Sequence, residues 1–123
     1  MSQESDDFIQ LSSDDGVVVA SMTRGAFRDE NGILDALEKL GQVMDNRMDV
    51  RMVLDLAVVE YMSSAGLGRL VACLKKARSS GGDLVLVNLR SEIHELLDLM
   101  KLTQIFTLRD SVAEAVEFLK NPA

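Results

Sequence analysis

The spacing of apolar and polar positions along the chain predicts a succession of short strands. Two apolar or alternating runs, residues 8–13 and 17–24, flank the sequence Asp-Asp-Gly at residues 14–16, which is the turn chemistry of an antiparallel hairpin. A Val- and Leu-rich run over roughly residues 50–57 predicts a central strand that is covered on both faces. A further apolar run at residues 84–88 follows a pair of glycines and predicts another strand of the same sheet.

Between and after these strands, apolar residues recur at the spacing of amphipathic helices. The inward stripes of the four predicted helices are, in chain order, Ile33, Leu37, Leu40 and Met44; Leu67, Leu70, Val71, Leu74 and Ala77; Ile93, Leu96, Leu97 and Met100; and Val112, Ala115, Val116 and Leu119. Asp29 or Asn31 can cap the first helix, and Ser111 and Glu114 have capping-box spacing at the start of the last one. A short edge strand is expected at residues 106–108.

The order of these elements predicts an α/β fold. A hairpin followed by alternating helices and strands gives a single mixed β-sheet of four to five strands with about four helices packed on it. The length of 123 residues fits one domain, which we expect to span residues 8–120 behind a flexible acidic tail at residues 1–7.

Composition narrows the class of function. The formal net charge is −7, and five acids lie among the first 15 residues, so the remaining body is close to neutral. This balance argues against a nucleic-acid binder, which needs Lys and Arg to neutralise phosphates. No apolar segment approaches the ~20 residues of a membrane-spanning helix, and the N-terminus lacks a signal-peptide pattern. We therefore expect a cytoplasmic protein that is not attached to a membrane.

Few residues offer catalytic or metal-binding chemistry. His94 is the single histidine and Cys73 the single cysteine, so together they cannot complete a metal site, and no cofactor-binding fingerprint is present. A serine hydrolase needs a nucleophile, a base and an orienting group, and Ser63 and Ser64 lack the glycine two residues earlier that a nucleophile elbow requires. The sequence favours a non-enzymatic protein, with a serine hydrolase as the alternative from a different class.

Ser63 and Ser64 stand between an extended apolar run and the predicted second helix. Either hydroxyl can cap this helix by accepting a hydrogen bond from a backbone N–H two or three residues later. Gly66 and Gly68 are poor choices for a first helical turn, because glycine costs about 1 kcal/mol relative to alanine in a helix interior. Together with Ala65, these small residues indicate a turn that is accessible to a partner.

The segment DLAVVEYMSSAGLGRLV at residues 55–71 resembles the signature of the STAS domain as it occurs in anti-sigma factor antagonists. Ser63 stands where the family usually has Asp, and Ala65 stands where it has Ser or Thr. The matching positions are Asp55, Leu56, Val59, Met62, Ser64, Gly66, Leu67 and Gly68, and similarity extends to Gly25, Phe27, Gly82, Leu102, Phe106 and Ala115.

This resemblance implies a switchable interaction protein. In the family, an anti-sigma factor that is also a serine kinase, a histidine-kinase-like ATPase, phosphorylates the serine two positions before the motif glycine. That position is Ser64 here, with Ser63 as the second candidate. The unmodified antagonist binds the kinase and thereby releases a sigma factor, and a phosphatase counteracts the modification. The partner-binding residues that the resemblance implies are Ser63, Ser64, Ala65, Gly66, Leu67, Gly68 and Arg69.

The resemblance also implies an alternative within the same family. STAS domains occur as constitutive adaptors, either in signalling scaffolds or as regulatory subunits of transport ATPases. The resemblance leaves the oligomeric state open.

The predicted second helix carries a row of bases. Residues 61–82 contain no acid, whereas they include Arg69, Lys75, Lys76 and Arg78. Such a row either steers an acidic partner surface towards the helix or is a solvated face with its bases favourably near the helix C-terminus. The sequence leaves both interpretations open.

Overall fold

A computed structural model of the protein describes residues 9–23 and 30–120. The elements in these residues confirm the predicted α/β class, with a five-stranded mixed sheet and four α-helices. The strands are β1 (Ile9–Asp14), β2 (Val17–Met22), β3 (Arg51–Asp55), β4 (Asp83–Val87) and β5 (Thr107–Arg109). The helices are α1 (Glu30–Met44), α2 (Ser64–Ser79), α3 (Ser91–Leu99) and α4 (Val112–Lys120), with a short 3-10 helix at Leu102–Gln104.

The five strands lie in the order in which they occur along the chain. β1 and β2 form the predicted antiparallel hairpin, and the strands from β2 to β5 run parallel to one another. Asp15 and Gly16 form the hairpin turn with φ values of 56° and 85°. Positive φ at both central residues is the geometry that two-residue hairpin loops favour, because its twist matches that of the flanking strands. β3 occupies the centre of the sheet, as the sequence predicted.

The sheet is covered on both faces, and alternate residues of its strands divide between two cores. Met52 and Leu54 of β3 belong to the larger core, which they share with apolar residues of α1, α2 and α3. Val53 points to the opposite face and packs in a smaller core with Ala115 and Leu119 of α4. The uninterrupted apolar run in β3 therefore reflects burial on both faces.

Four predicted inward positions are not buried in the structure: Val71, Leu96 and Val112 are half-buried, and Met100 is exposed. Met100 is 53% exposed, because α3 ends at Leu99 and the chain turns away through Lys101, which has a φ of 62°. Val71 is only half-buried, whereas Cys73 is buried together with Leu70 and Leu74. The buried stripe of α2 is therefore rotated slightly from the predicted one.

Several predictions fall on residues that the structure does not describe. The acidic tail at residues 1–7, the start of β1 at Phe8 and the capping residue Asp29 lie outside the described residues, as do Gly25 and Phe27. Asn31 was the other capping candidate. Because α1 begins at Glu30, Asn31 lies inside its first turn and not ahead of it. None of the helices in the described ranges is long and apolar enough to cross a membrane.

Candidate functional site

The start of α2 assigns different roles to the two neighbouring serines. Ser63 is the N-cap, with extended backbone angles of φ −74° and ψ 169°. Its Oγ accepts a hydrogen bond from the backbone N–H of Gly66 at 3.1 Å, and its carbonyl oxygen accepts one from Leu67 at 2.9 Å. The bond to Gly66 satisfies an N–H group that a helix otherwise leaves without an acceptor, and the bond to Leu67 is the first i→i−4 bond of the helix. Ser63 is thus the capping serine.

Ser64 is the first residue of α2, and its side chain is exposed. Within the described part of the chain its hydroxyl makes no hydrogen bond, and neither its own backbone N–H nor that of Ala65 has an acceptor. The exposed hydroxyl therefore lies beside two free amide groups at the positive end of the helix dipole. A negative group attached to Ser64 is electrostatically favourable at this position.

The small residues that follow divide between the core and the surface. Gly66 and Leu67 are buried, whereas Ala65 and Gly68 are exposed. A Cβ atom added to Gly66 would lie 2.6 Å from Cγ of the buried Met62, so a larger residue at this position requires the Met62 side chain to shift. A Cβ at Gly68 would meet nothing within 4 Å. Of the predicted partner-binding residues, Gly66 and Leu67 therefore support the turn from within.

The loop between β3 and α2, residues 56–63, completes the surface ahead of Ser64; we call it the Ser64 loop. Val59 and Met62 are buried and anchor the loop in the larger core. Glu60 and Tyr61 between them are exposed, and Tyr61 is 68% exposed. The sequence prediction omitted both residues.

The row of bases on α2 is largely neutralised by acids from other elements. Arg69 forms an ion pair with Glu38 of α1. Lys76 Nζ lies 2.7 Å from Asp45 Oδ1, and Arg78 is paired with Asp83 at 3.1 Å. These pairs reduce the net positive charge of the row, so they favour the interpretation of a solvated helix face over a surface that steers an acidic partner.

The structure does not assemble a hydrolytic or metal site from the described residues. His94 lies on α3, where its Nδ1 is 3.5 Å from Asp98 Oδ2, and no hydrogen bond joins it to Ser64 within the described ranges. No cluster of three or more His, Cys, Asp or Glu residues suited to a metal ion occurs in residues 9–23 and 30–120.

Comparisons with known proteins identify similar chains. The family model of the STAS domain matches residues 21–115. The protein from Bordetella bronchiseptica that is provisionally named anti-sigma factor antagonist BtrV is 30% identical over 106 residues, which cover 86% of this chain and 89% of that protein.

Solved structures show the same fold. An anti-sigma-factor antagonist (STAS) domain protein from Planctomyces limnophilus has a TM-score of 0.82 at 18% identity, with 92% of this chain and 98% of that chain covered. The Bacillus cell fate determinant SpoIIAA in its phosphorylated form has a TM-score of 0.62 at 14% identity, with 89% and 96% covered.

Proposed function

This chain belongs to the STAS domain family, and from that premise we propose that it is an anti-sigma factor antagonist whose binding is switched by phosphorylation of Ser64. The observation that carries the proposal is the exposed Ser64 hydroxyl at the first position of α2, next to a cap that Ser63 already supplies. The name of the Bordetella relative supports the function, and a phosphorylated form is known for SpoIIAA.

The position of Ser64 suits a switch that acts on the surface and leaves the fold intact. A phosphate adds about −1.5 to −2 charges and three strong acceptor oxygens. The free amide groups of Ser64 and Ala65 and the helix dipole favour that charge, so α2 tolerates it. A docked partner instead meets a new charge in its interface, where a like-charge contact costs several kcal/mol. Phosphorylation therefore opposes binding without unfolding the protein.

The proposed partner is an anti-sigma factor that is also a serine kinase of the histidine-kinase-like ATPase type, with a phosphatase that removes the phosphate. The exposed residues Ser64, Ala65, Gly68 and Arg69 form the docking surface, and Gly66 and Leu67 support it from within. In this proposal the unmodified protein binds the kinase in the cytoplasm and frees a sigma factor, and the chain itself catalyses no reaction.

Phosphate transfer by the kinase tests the proposal directly. A kinase that binds the unmodified protein is incubated with it and ATP, and the sites are read by mass spectrometry. We expect one phosphate on the wild type and on Ser63→Ala, and none on Ser64→Ala. Ser91 provides a matched control, because it is also an exposed first residue of a helix, and Ser91→Ala should be phosphorylated like the wild type.

Each other outcome contradicts a defined part of the proposal. Phosphate on Ser63 alone moves the switch by one residue. A kinase that binds but transfers no phosphate to either serine favours the constitutive adaptor, and Ser63 in place of the family's usual Asp is the feature that points to it. Ester hydrolysis that Ser64→Ala abolishes would support the serine hydrolase instead.

A further inference from the structure

Arg90 occupies a position that usually serves to cap a helix. It is the N-cap residue of α3, yet its side chain makes no capping hydrogen bond. Ser, Thr, Asp and Asn are preferred at N-caps because their short side chains reach the first amide groups. The Arg90 side chain extends instead to the Ser64 loop, where Nε donates a hydrogen bond to the carbonyl oxygen of Ala57 at 2.9 Å. Its Nη1 lies 3.8 Å from Glu60 Oε2 of the same loop.

Two more side chains hold the beginning of this loop. Asp55 Oδ1 accepts a hydrogen bond from the backbone N–H of Ala57 at 2.9 Å, and Asp55 Oδ2 accepts one from Asn88 Nδ2 at 3.1 Å. Both backbone polar groups of Ala57 are therefore bonded, one to Asp55 and one to Arg90. The loop that precedes Ser64 is thus tied to the connection between β4 and α3.

We propose that Arg90 is a positioning residue that fixes the Ser64 loop at Ala57, and that the exposed residues Glu60 and Tyr61 of this loop form part of the surface on which the kinase docks. The inference rests on the proposed function and extends its docking surface beyond α2 to the exposed half of the Ser64 loop. Ordering this half of the loop before binding reduces the entropy that association would otherwise cost. Ser64 itself is fixed by α2 and by the Ser63 cap, so Arg90 acts on docking and leaves the geometry of phosphate transfer unchanged.

The hydrogen bond to Ala57, and not the ion pair, carries this role. Exposed ion pairs contribute little, and the Arg90 and Glu60 side chains are 44% and 48% exposed. A charged donor bonded to a backbone carbonyl at 2.9 Å contributes more. Glu60→Gln removes the ion pair alone, Arg90→Gln retains a neutral donor, and Arg90→Ala removes both contacts.

Hydrogen exchange in the free protein gives the first test. The amide groups of Ala57 and Val59 are hydrogen-bonded within the loop, and the amide of Leu86 in β4 serves as an internal reference. We expect Arg90→Ala to speed exchange at Ala57 and Val59 about tenfold, as the loss of a charge-assisted hydrogen bond implies, with Leu86 unchanged. Glu60→Gln should exchange like the wild type.

Phosphorylation kinetics with the cognate kinase give the second test. We expect Arg90→Ala to raise the KM for the protein substrate about tenfold with kcat within about twofold, and Arg90→Gln to lie between it and the wild type. Unchanged loop exchange or an unchanged KM in Arg90→Ala overturns the proposal, as does a loss confined to kcat. If Arg90→Ala does not fold, Arg90→Gln and Arg90→Lys are measured in the same two ways, and wild-type values in both of them overturn it.

The two tests separate this inference from the proposed function. If the kinase does not phosphorylate the wild-type protein, the switch at Ser64 is contradicted. The hydrogen-exchange test of Arg90 still applies, because it needs no kinase. In that case the affinity of the kinase for the unphosphorylated protein replaces KM as the measure of docking. An affinity that Arg90→Ala leaves unchanged overturns the role of Arg90.

Discussion

Ser63 Oγ accepts a hydrogen bond from the backbone N–H of Gly66 at 3.1 Å, and this bond separates two chemically identical neighbours. Ser63 is committed to capping α2, whereas Ser64 presents an exposed hydroxyl with no hydrogen bond in the described part of the chain. The structural and the proposed functional role of the serine pair can therefore be tested separately.

The two serines should differ in their contribution to stability. Ser63→Ala removes the cap and should lower the free energy of unfolding by about 0.5–2 kcal/mol, whereas Ser64→Ala should change it by less than about 0.5 kcal/mol. Urea denaturation of both variants and the wild type measures the difference. Equal losses in the two variants would show that the capping bond is not specific to Ser63.

Charge at Ser64 should control partner binding. Ser64→Ala should bind the kinase and should not lose this binding in the presence of ATP, because it retains the fold and cannot receive phosphate. Ser64→Asp places a negative charge where the partner approaches, and it should lose at least about tenfold in affinity while gaining about 0.3–1 kcal/mol in stability from the helix dipole. Calorimetric titration with the kinase measures the affinities. Ser91→Asp is the control at the exposed first residue of α3, and weakened binding in that variant as well would point to a non-specific charge effect.

Gly66 and Gly68 should respond in opposite directions to the same substitution. Gly66→Ala forces a methyl group against the buried Met62, and the overpacking should exceed the gain in helix propensity, with a net destabilisation of up to about 2 kcal/mol. Gly68→Ala adds a methyl group in open space and should stabilise the protein by about 0.5–1 kcal/mol. Thermal and urea unfolding of both variants measure these changes. A stabilising Gly66→Ala would contradict the packing of the turn.

Cys73 should make stability depend on pH in the alkaline range. Burial raises the pKa of the Cys73 thiol to about 11, and the charge of Lys76 opposes this increase only in part. The folded pKa exceeds the unfolded one of about 9, so the stabilising contribution is complete below about pH 9 and is lost as the pH rises through about 11. The loss is at most about 3 kcal/mol, because a tenfold change in the acid dissociation constant of the thiol corresponds to about 1.4 kcal/mol.

Comparison with a variant isolates the thiol from the other groups that titrate above pH 9. Cys73→Ala lacks the ionisation, so its stability deficit relative to the wild type should shrink between pH 8 and pH 11. Urea unfolding at several pH values measures this deficit. A constant deficit would show that the thiol ionises equally well in the folded protein.

Much of the fold was predictable because it depends on patterns within a single element. The turn residues Asp15 and Gly16 specify the hairpin by their tolerance of positive φ, and the unbroken apolar run at residues 51–55 specifies a strand covered on both faces. The position of the serine pair at the start of α2 also follows from local sequence. Met100 was predicted wrongly because helical periodicity does not show where the backbone leaves the helix.

The sequence by itself determined the order of the elements, their inward faces and the presence of a hydroxyl-bearing helix start, because neighbouring residues set backbone preference and amphipathic spacing. Tertiary structure alone decided which charges are paired and how the Ser64 loop is held. Arg69 meets Glu38 across 31 positions, and Arg90 reaches Ala57 across 33. Such contacts exist only once the sheet has brought separate helices and loops together, and no local pattern records the distances between them.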